Sequence, residues 1–153
     1  MERAKILVPV DFSEASRHAL RLAVSLLKPE SGRLTLLHVG IIPHFYATEL
    51  GVSESAAPLL AAMSDEVARE QRARLDALAI ELIPPGVNHE IVVREGWPPE
   101  EILDQVQKGG HDLLVMGTHG RTGLRRALIG SVTERVVREC PIPVLVTHGP
   151  LEG

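Results

Sequence analysis

Short apolar runs alternate with longer amphipathic stretches along this chain. Lys5-Ile-Leu-Val-Pro-Val10 is the first run and predicts a strand. Asp11-Phe-Ser13 follows, with Ser13 placed as an N-cap. Ala15, Ala19, Leu22, Ala23 and Leu26 then recur at helical spacing until Pro29 and Gly32 close the pattern. Arg33 to Val39 predicts a second strand, and Gly40 to about Ser53 a loop of mixed composition. A long helix is expected from about Glu54 to Leu82. Leu60, Met63, Val67, Leu75, Leu78 and Leu82 mark its buried stripe, Gln71 interrupts it, and Pro84-Pro-Gly86 stops it. Glu90-Ile-Val-Val-Arg94 is the third strand. Gly96-Trp-Pro-Pro99 turns into a helix with proline at its first position and Ile102, Leu103 and Val106 on its apolar face. Gly109-Gly110 ends that helix. Asp112 to Met116 is the fourth strand, a glycine-punctuated loop leads to a helix over Val132 to Cys140, and Val144 to Thr147 is the fifth strand.

Five strands alternating with four helices imply an α/β protein. The sheet is open and parallel, with helices on both faces and right-handed crossovers. The absence of repeats, low-complexity segments and linkers reads residues 1–153 as a single domain.

In such sheets ligands sit beyond the carboxyl ends of the strands, at a topological switch point. Two polar signals stand there: Pro9-Val-Asp11 after the first strand, and the loop after the fourth. They meet if the strand order is 3-2-1-4-5. The loop reads Gly117-Thr-His-Gly120-Arg-Thr-Gly-Leu-Arg-Arg-Ala-Leu-Ile-Gly130-Ser131. A loop of this length opening a helix suits an anion, because a helix start offers unpaired N–H groups and the positive end of its dipole. Glycines allow close backbone approach and positive φ. A nucleotide phosphate is the expected guest.

Each residue also has a plainer role. Asp11 is either an acceptor for a base amine or ribose hydroxyl, or a turn carboxylate. Arg121, Arg125 and Arg126 either neutralise phosphate or are solvated, the latter favoured for Arg125 and Arg126. Ser131-Val-Thr-Glu134 fits a capping box, with Ser131 as N-cap and Glu134 at N3. Capping explains the serine but not the spacing of Gly117, Gly120 and Gly130. Thr133 reads as a bystander. His38, ending an apolar strand, reads as structural, and His119 is the one histidine inside the loop.

Composition narrows the field. Hydrophobic residues make up 44% of the chain, enough for a real core. The only aromatics are Phe12, Phe45, Tyr46 and Trp97, too few for a base-stacking platform. The net charge of −4 with interspersed signs argues against nucleic acid as a partner. Cys140 is the single cysteine, expected to pack as a small apolar side chain, so no intrachain disulfide or CxxC metal site exists. No run reaches the roughly 18 apolar residues of a membrane span, and no leader-like segment opens the chain. The cytoplasm is the expected compartment. GxxxxGK[ST], a GxGxxG after the first strand, HExxH and GxSxG are all missing, which disfavours a Walker-type ATPase.

The spacing Gly117-x2-Gly120-x9-Gly130-Ser131 resembles the ATP-binding signature of the universal stress protein family. Lys5 to Ser13, Leu36 to Val39, Gly96 to Pro99, Asp112 to Gly117 and Pro143 to Val146 are similar to its other landmarks, so the resemblance covers nearly the whole chain. It implies a Rossmann-like five-stranded sheet of order 3-2-1-4-5 and ATP as ligand, with Mg²⁺ or Mn²⁺ held through the phosphates. It implies that Pro9, Val10, Asp11 and Val39 approach the adenosine, and that Met116 and Gly117 lie near the ribose. Gly120, Gly130, Ser131 and Val132 would hold the phosphates through N–H groups and the Ser131 hydroxyl, and Arg121 joins them as a candidate from its place in the loop. It also implies a homodimer through Val144 to Val146, covering a sheet edge. The expected function is a nucleotide-dependent regulatory stress protein with at most slow hydrolysis. The alternative is an ATPase or nucleotidyl-transfer enzyme needing a partner, with Asp11 and His119 as its candidate groups.

Overall fold

The computed structural model describes residues 3–28, 30–40, 54–118 and 129–149. The strands are β1 (Lys5–Pro9), β2 (Arg33–Gly40), β3 (His89–Glu95), β4 (Leu113–Gly117) and β5 (Val144–Thr147). The helices are α1 (Glu14–Leu26), α2 (Ala57–Leu82), α3 (Pro98–Gly109) and α4 (Ser131–Glu139), with a 3-10 turn over Glu54–Ala56 ahead of α2. The sheet order is β3-β2-β1-β4-β5, and every pairing is parallel. The expected architecture and order are both observed.

Period-two alternation splits each strand between two cores. Ile6, Val8, Leu34, Leu36 and Val115 face α1 and α2, meeting Ala19, Leu20, Ala23, Leu75, Leu78 and Ala79. Leu7, Leu37, Leu114 and Met116 face α3 and α4, meeting Ile102, Val106 and Val136. Because both faces are covered, the strands read as continuous apolar runs rather than alternating ones.

The long helix departs from expectation. Its stripe is buried only from Leu75 onward, while Met63 is 48% and Val67 37% exposed. Length accounts for the start of the helix only. Twenty-six helical residues span about 39 Å at about 1.5 Å each, whereas the eight residues of β2 reach about 27 Å. The first two turns of α2 therefore extend past the strands, while Ser64 still bonds Glu95 at the end of β3.

Helix ends follow local chemistry. Ser13 caps α1 as expected, its side chain accepting the Ser16 N–H at 3.2 Å. Pro98 opens α3, and Gly110 in left-handed conformation (φ 60°) terminates it. Cys140 is half-buried against the α3/α4 core.

Candidate functional site

β1 lies between β2 and β4, so the chain reverses its direction of winding there. The β1–β4 register pairs Ile6 with Leu113 and Leu7 with Leu114. Continued along the strands, it brings Val10 level with Gly117. The turn after β1 and the start of the loop after β4 thus share one edge of the sheet.

Three anchors hold the first of these. The Val10 N–H donates to the Leu37 carbonyl at 2.8 Å. The buried His38 ring lies with Nδ1 2.7 Å from the Val10 carbonyl, so Nδ1 carries the hydrogen, and the histidine is structural as expected. Asp11 Oδ1 accepts from both the Ser13 N–H (3.0 Å) and the Ser13 hydroxyl (2.5 Å). Its turn role is therefore occupied. Phe12, between them, adopts φ 65°, a left-handed conformation uncommon for a bulky side chain.

The second is built from β4 and α4. Thr118 is buried, its N–H donating to Thr147 and its carbonyl accepting the Gly130 N–H at 2.7 Å. The Thr133 hydroxyl donates to the Gly117 carbonyl at 2.9 Å. These two bonds fix where α4 begins. The N-cap is Gly130, with φ −61° and ψ 154°, and no side chain caps the helix. The expected capping box is corrected accordingly: Ser131 is the first helical residue rather than the cap, and Thr133 occupies N3 in place of Glu134. Thr133 is no bystander, since it ties the helix start to the end of β4.

One result of this register is a set of open donors. The first intrahelical bond runs from the Glu134 N–H to the Gly130 carbonyl at 2.9 Å. The N–H groups of Ser131, Val132 and Thr133 have no acceptor among the described residues. Ser131 is exposed beside them.

Gly117 has a different reason to be glycine from the one expected. A Cβ there would lie 2.7 Å from the Ala15 Cβ and 2.9 Å from the Ala15 carbonyl carbon. Close packing of β4 against α1 demands the missing side chain. Neither Gly117 nor Gly130 has positive φ.

The remaining expected residues are distributed as follows. Pro9 and Val39 are half-buried, and Val10 and Met116 are buried in the two cores, so both of the latter offer a ligand only main-chain atoms. Val132 packs partly against the α3/α4 core. Gly120, Arg121, His119, Arg125, Arg126 and the stretch 41–53 lie outside the described residues. Sequence reasoning missed Phe12 and Thr118. Neither left a readable signal, because one depends on a backbone angle and the other on a bond across the base of a loop.

Two further polar clusters stand apart from this edge. Arg94 on β3 bonds Glu101 (3.2 Å), Asp104 (2.5 Å) and the buried Gln105 (2.7 Å) on α3. Hydrogen bonding to Asp104 raises the Arg94 pKa, while bonds from Lys108 and Arg94 hold the Asp104 carboxyl below its usual range. Buried His111 contacts the Thr35 hydroxyl at 3.0 Å, and Thr35 donates onward to Glu90 at 2.8 Å. Burial pushes the His111 imidazole below its ordinary pKa. Among the described residues, no group of three or more His, Cys, Asp or Glu is arranged to hold a metal ion, and no helix is long and apolar enough to cross a membrane.

Comparison with known proteins adds a lineage to this geometry. The Universal stress protein family model matches residues 2–148. Universal stress protein MJ0531 of Methanocaldococcus jannaschii is 33% identical over 95% of this chain and 82% of its own length. The solved structure of MJ0577, from the same organism, is 29% identical, with a TM-score of 0.82 over 98% of this chain and 99% of that one. A universal stress family protein of Arabidopsis thaliana, solved with AMP bound, shares the fold at 17% identity, with a TM-score of 0.62 over 97% of this chain and 94% of its own.

Proposed function

This chain belongs to the universal stress protein family, and from that premise we propose that it is an adenine-nucleotide-binding regulatory protein. The ligand is ATP, lying across the carboxyl edge of the sheet with its phosphates against the start of α4. The observation that carries this reading is the trio of N–H groups at Ser131, Val132 and Thr133 without acceptors among the described residues. Oriented donors at the positive end of a helix stabilise negative charge, and the exposed Ser131 hydroxyl adds a fourth donor. The Gly130 N–H is engaged by Thr118, so Gly130 contributes by shaping the helix start rather than by donating. Gly120 and Arg121, which lie outside the described residues, belong to the phosphate side of this proposal.

Pro9, Val10, Asp11 and Val39 border the adenosine, with Met116 and Gly117 by the ribose. The AMP-bound Arabidopsis relative is consistent with a nucleotide here. Mg²⁺ or Mn²⁺ accompanies the phosphates and is held mainly by them. Main-chain donors bind a polyphosphate without giving or taking a proton, which favours occupancy over turnover as the signal. The exposed edge strand β5, with Leu145 36% exposed, supports pairing of two copies through Val144 to Val146.

Isothermal titration with Mg-ATP tests the proposal. We expect saturable heat and a thermal shift equivalent to about 2.7 kcal/mol at a hundredfold excess over Kd. Neither heat nor shift at millimolar ATP would overturn it. Steady phosphate or AMP release, lost in Asp11→Asn, would replace the regulatory reading with an enzymatic one.

A further inference from the structure

Among the described residues, only Arg3 and Phe12 combine a side chain with positive φ. Arg3 lies ahead of β1, but Phe12 sits inside the turn that presents Asp11. A left-handed phenylalanine is intrinsically unfavourable and persists only where its surroundings hold it. Two groups contact the ring. The His38 ring centroid is 4.8 Å away and tilted by 41°. Arg74, on α2, places its guanidinium carbon 3.9 Å from the Phe12 ring centroid. Arg74 is exposed, and among the described residues it forms no ion pair that would otherwise account for its position. The ring also packs against the α1/α2 core.

We propose that Arg74 is a positioning residue for the nucleotide site, holding Phe12 by a cation–π contact and so keeping the Val10–Ser13 turn in its binding conformation. The proposal rests on the nucleotide reading above. The linkage is mechanical. Rotation of Phe12 out of the left-handed region would withdraw the ring from Arg74 and His38. It would also turn the adjacent Asp11 peptide away from the edge it shares with Gly117. The Asp11–Ser13 hydrogen bonds fix the carboxylate relative to the turn, and the aromatic contact fixes the turn relative to α2.

The test combines Arg74→Met, which keeps the apolar stem and removes the cation, with Arg74→Lys, which keeps a cation. Titration of each with Mg-ATP should give about twofold to fivefold weaker binding for Arg74→Met, the scale of an exposed cation–π contact, and near-parental binding for Arg74→Lys. In a Phe12→Leu background, which lacks the π face, Arg74→Met should have no further effect. Amide exchange at Ser13 should quicken in Arg74→Met whether or not nucleotide is present. If the parent binds ATP and Arg74→Met binds equally well with unchanged Ser13 exchange, this inference fails and the nucleotide reading stands. An equal loss in the Phe12→Leu background also overturns it, because the contact would not run through the ring. If the parent itself binds no nucleotide, both readings fall.

Discussion

Replacing Gly117 with alanine puts the packing argument under direct stress. The added Cβ would meet the Ala15 Cβ at 2.7 Å and the Ala15 carbonyl carbon at 2.9 Å, both well inside van der Waals contact. One of those partners is main chain in α1, which has no rotamer to escape through, so α1 or β4 has to shift. Overpacking of this kind costs about 1–3 kcal/mol. In a domain of this size each kcal/mol lowers Tm by about 2–4 °C, so Gly117→Ala should melt roughly 2–12 °C below the parent by calorimetry, without ligand. Ala15→Gly supplies the control. Alone it should destabilise through lost helix propensity, by up to about 1 kcal/mol. Combined with Gly117→Ala it should be less damaging than the sum of the two, because the Cβ–Cβ collision disappears while the contact to the α1 backbone remains. A coupling of about 0.5–3 kcal/mol is expected from urea melts of the full cycle. Gly117→Ala as stable as the parent, or strict additivity with Ala15→Gly, would refute the packing account and return Gly117 to a purely ligand-driven role.

Ser131→Ala should cost less than about 0.5 kcal/mol in urea denaturation, because Ser131 does not cap α4, yet it should weaken Mg-ATP binding in titration. A loss near 1 kcal/mol without ligand would restore the capping box. Thr133→Val should destabilise by about 1–3 kcal/mol, since it removes the donor to the Gly117 carbonyl, and chemical denaturation will read it. His111 is buried with its pKa lowered. The unfolded chain therefore binds this proton more readily than the folded one. The stabilising contribution is complete above the ordinary histidine pKa of about 6.5 and declines as pH falls through that value toward the lower folded one. Urea midpoints between pH 8 and 5 should fall in the parent and flatten in His111→Gln, and a parent profile flat over that range would contradict the buried neutral ring.

The strand order and the division of helices between faces were legible because they follow from alternation, crossover handedness and continuous apolar runs. The edge shared by the turn after β1 and the end of β4 was legible for the same reason, since the switch point follows from strand order. What escaped the sequence was set by contacts across the sheet edge. Ser131 and Glu134 have the spacing of a capping box, but the Thr118–Gly130 and Thr133–Gly117 bonds start the helix one residue earlier. Gly117 lies in a glycine-punctuated loop motif, yet its neighbour is Ala15, about a hundred residues earlier in the chain. Met63 and Val67 keep helical spacing with Leu75, but the pattern carries no information about whether another element covers them.

The hydrogen bond between Thr118 and Gly130 works as a clasp on the chain at the mouth of the loop. With Thr118 and Gly130 joined by one main-chain contact, the number of residues between them has little leverage on β4 or α4. Doubling that number adds only about 0.6 kcal/mol of closure entropy. Changes of length between the two clasped residues should therefore leave the start of α4 in place.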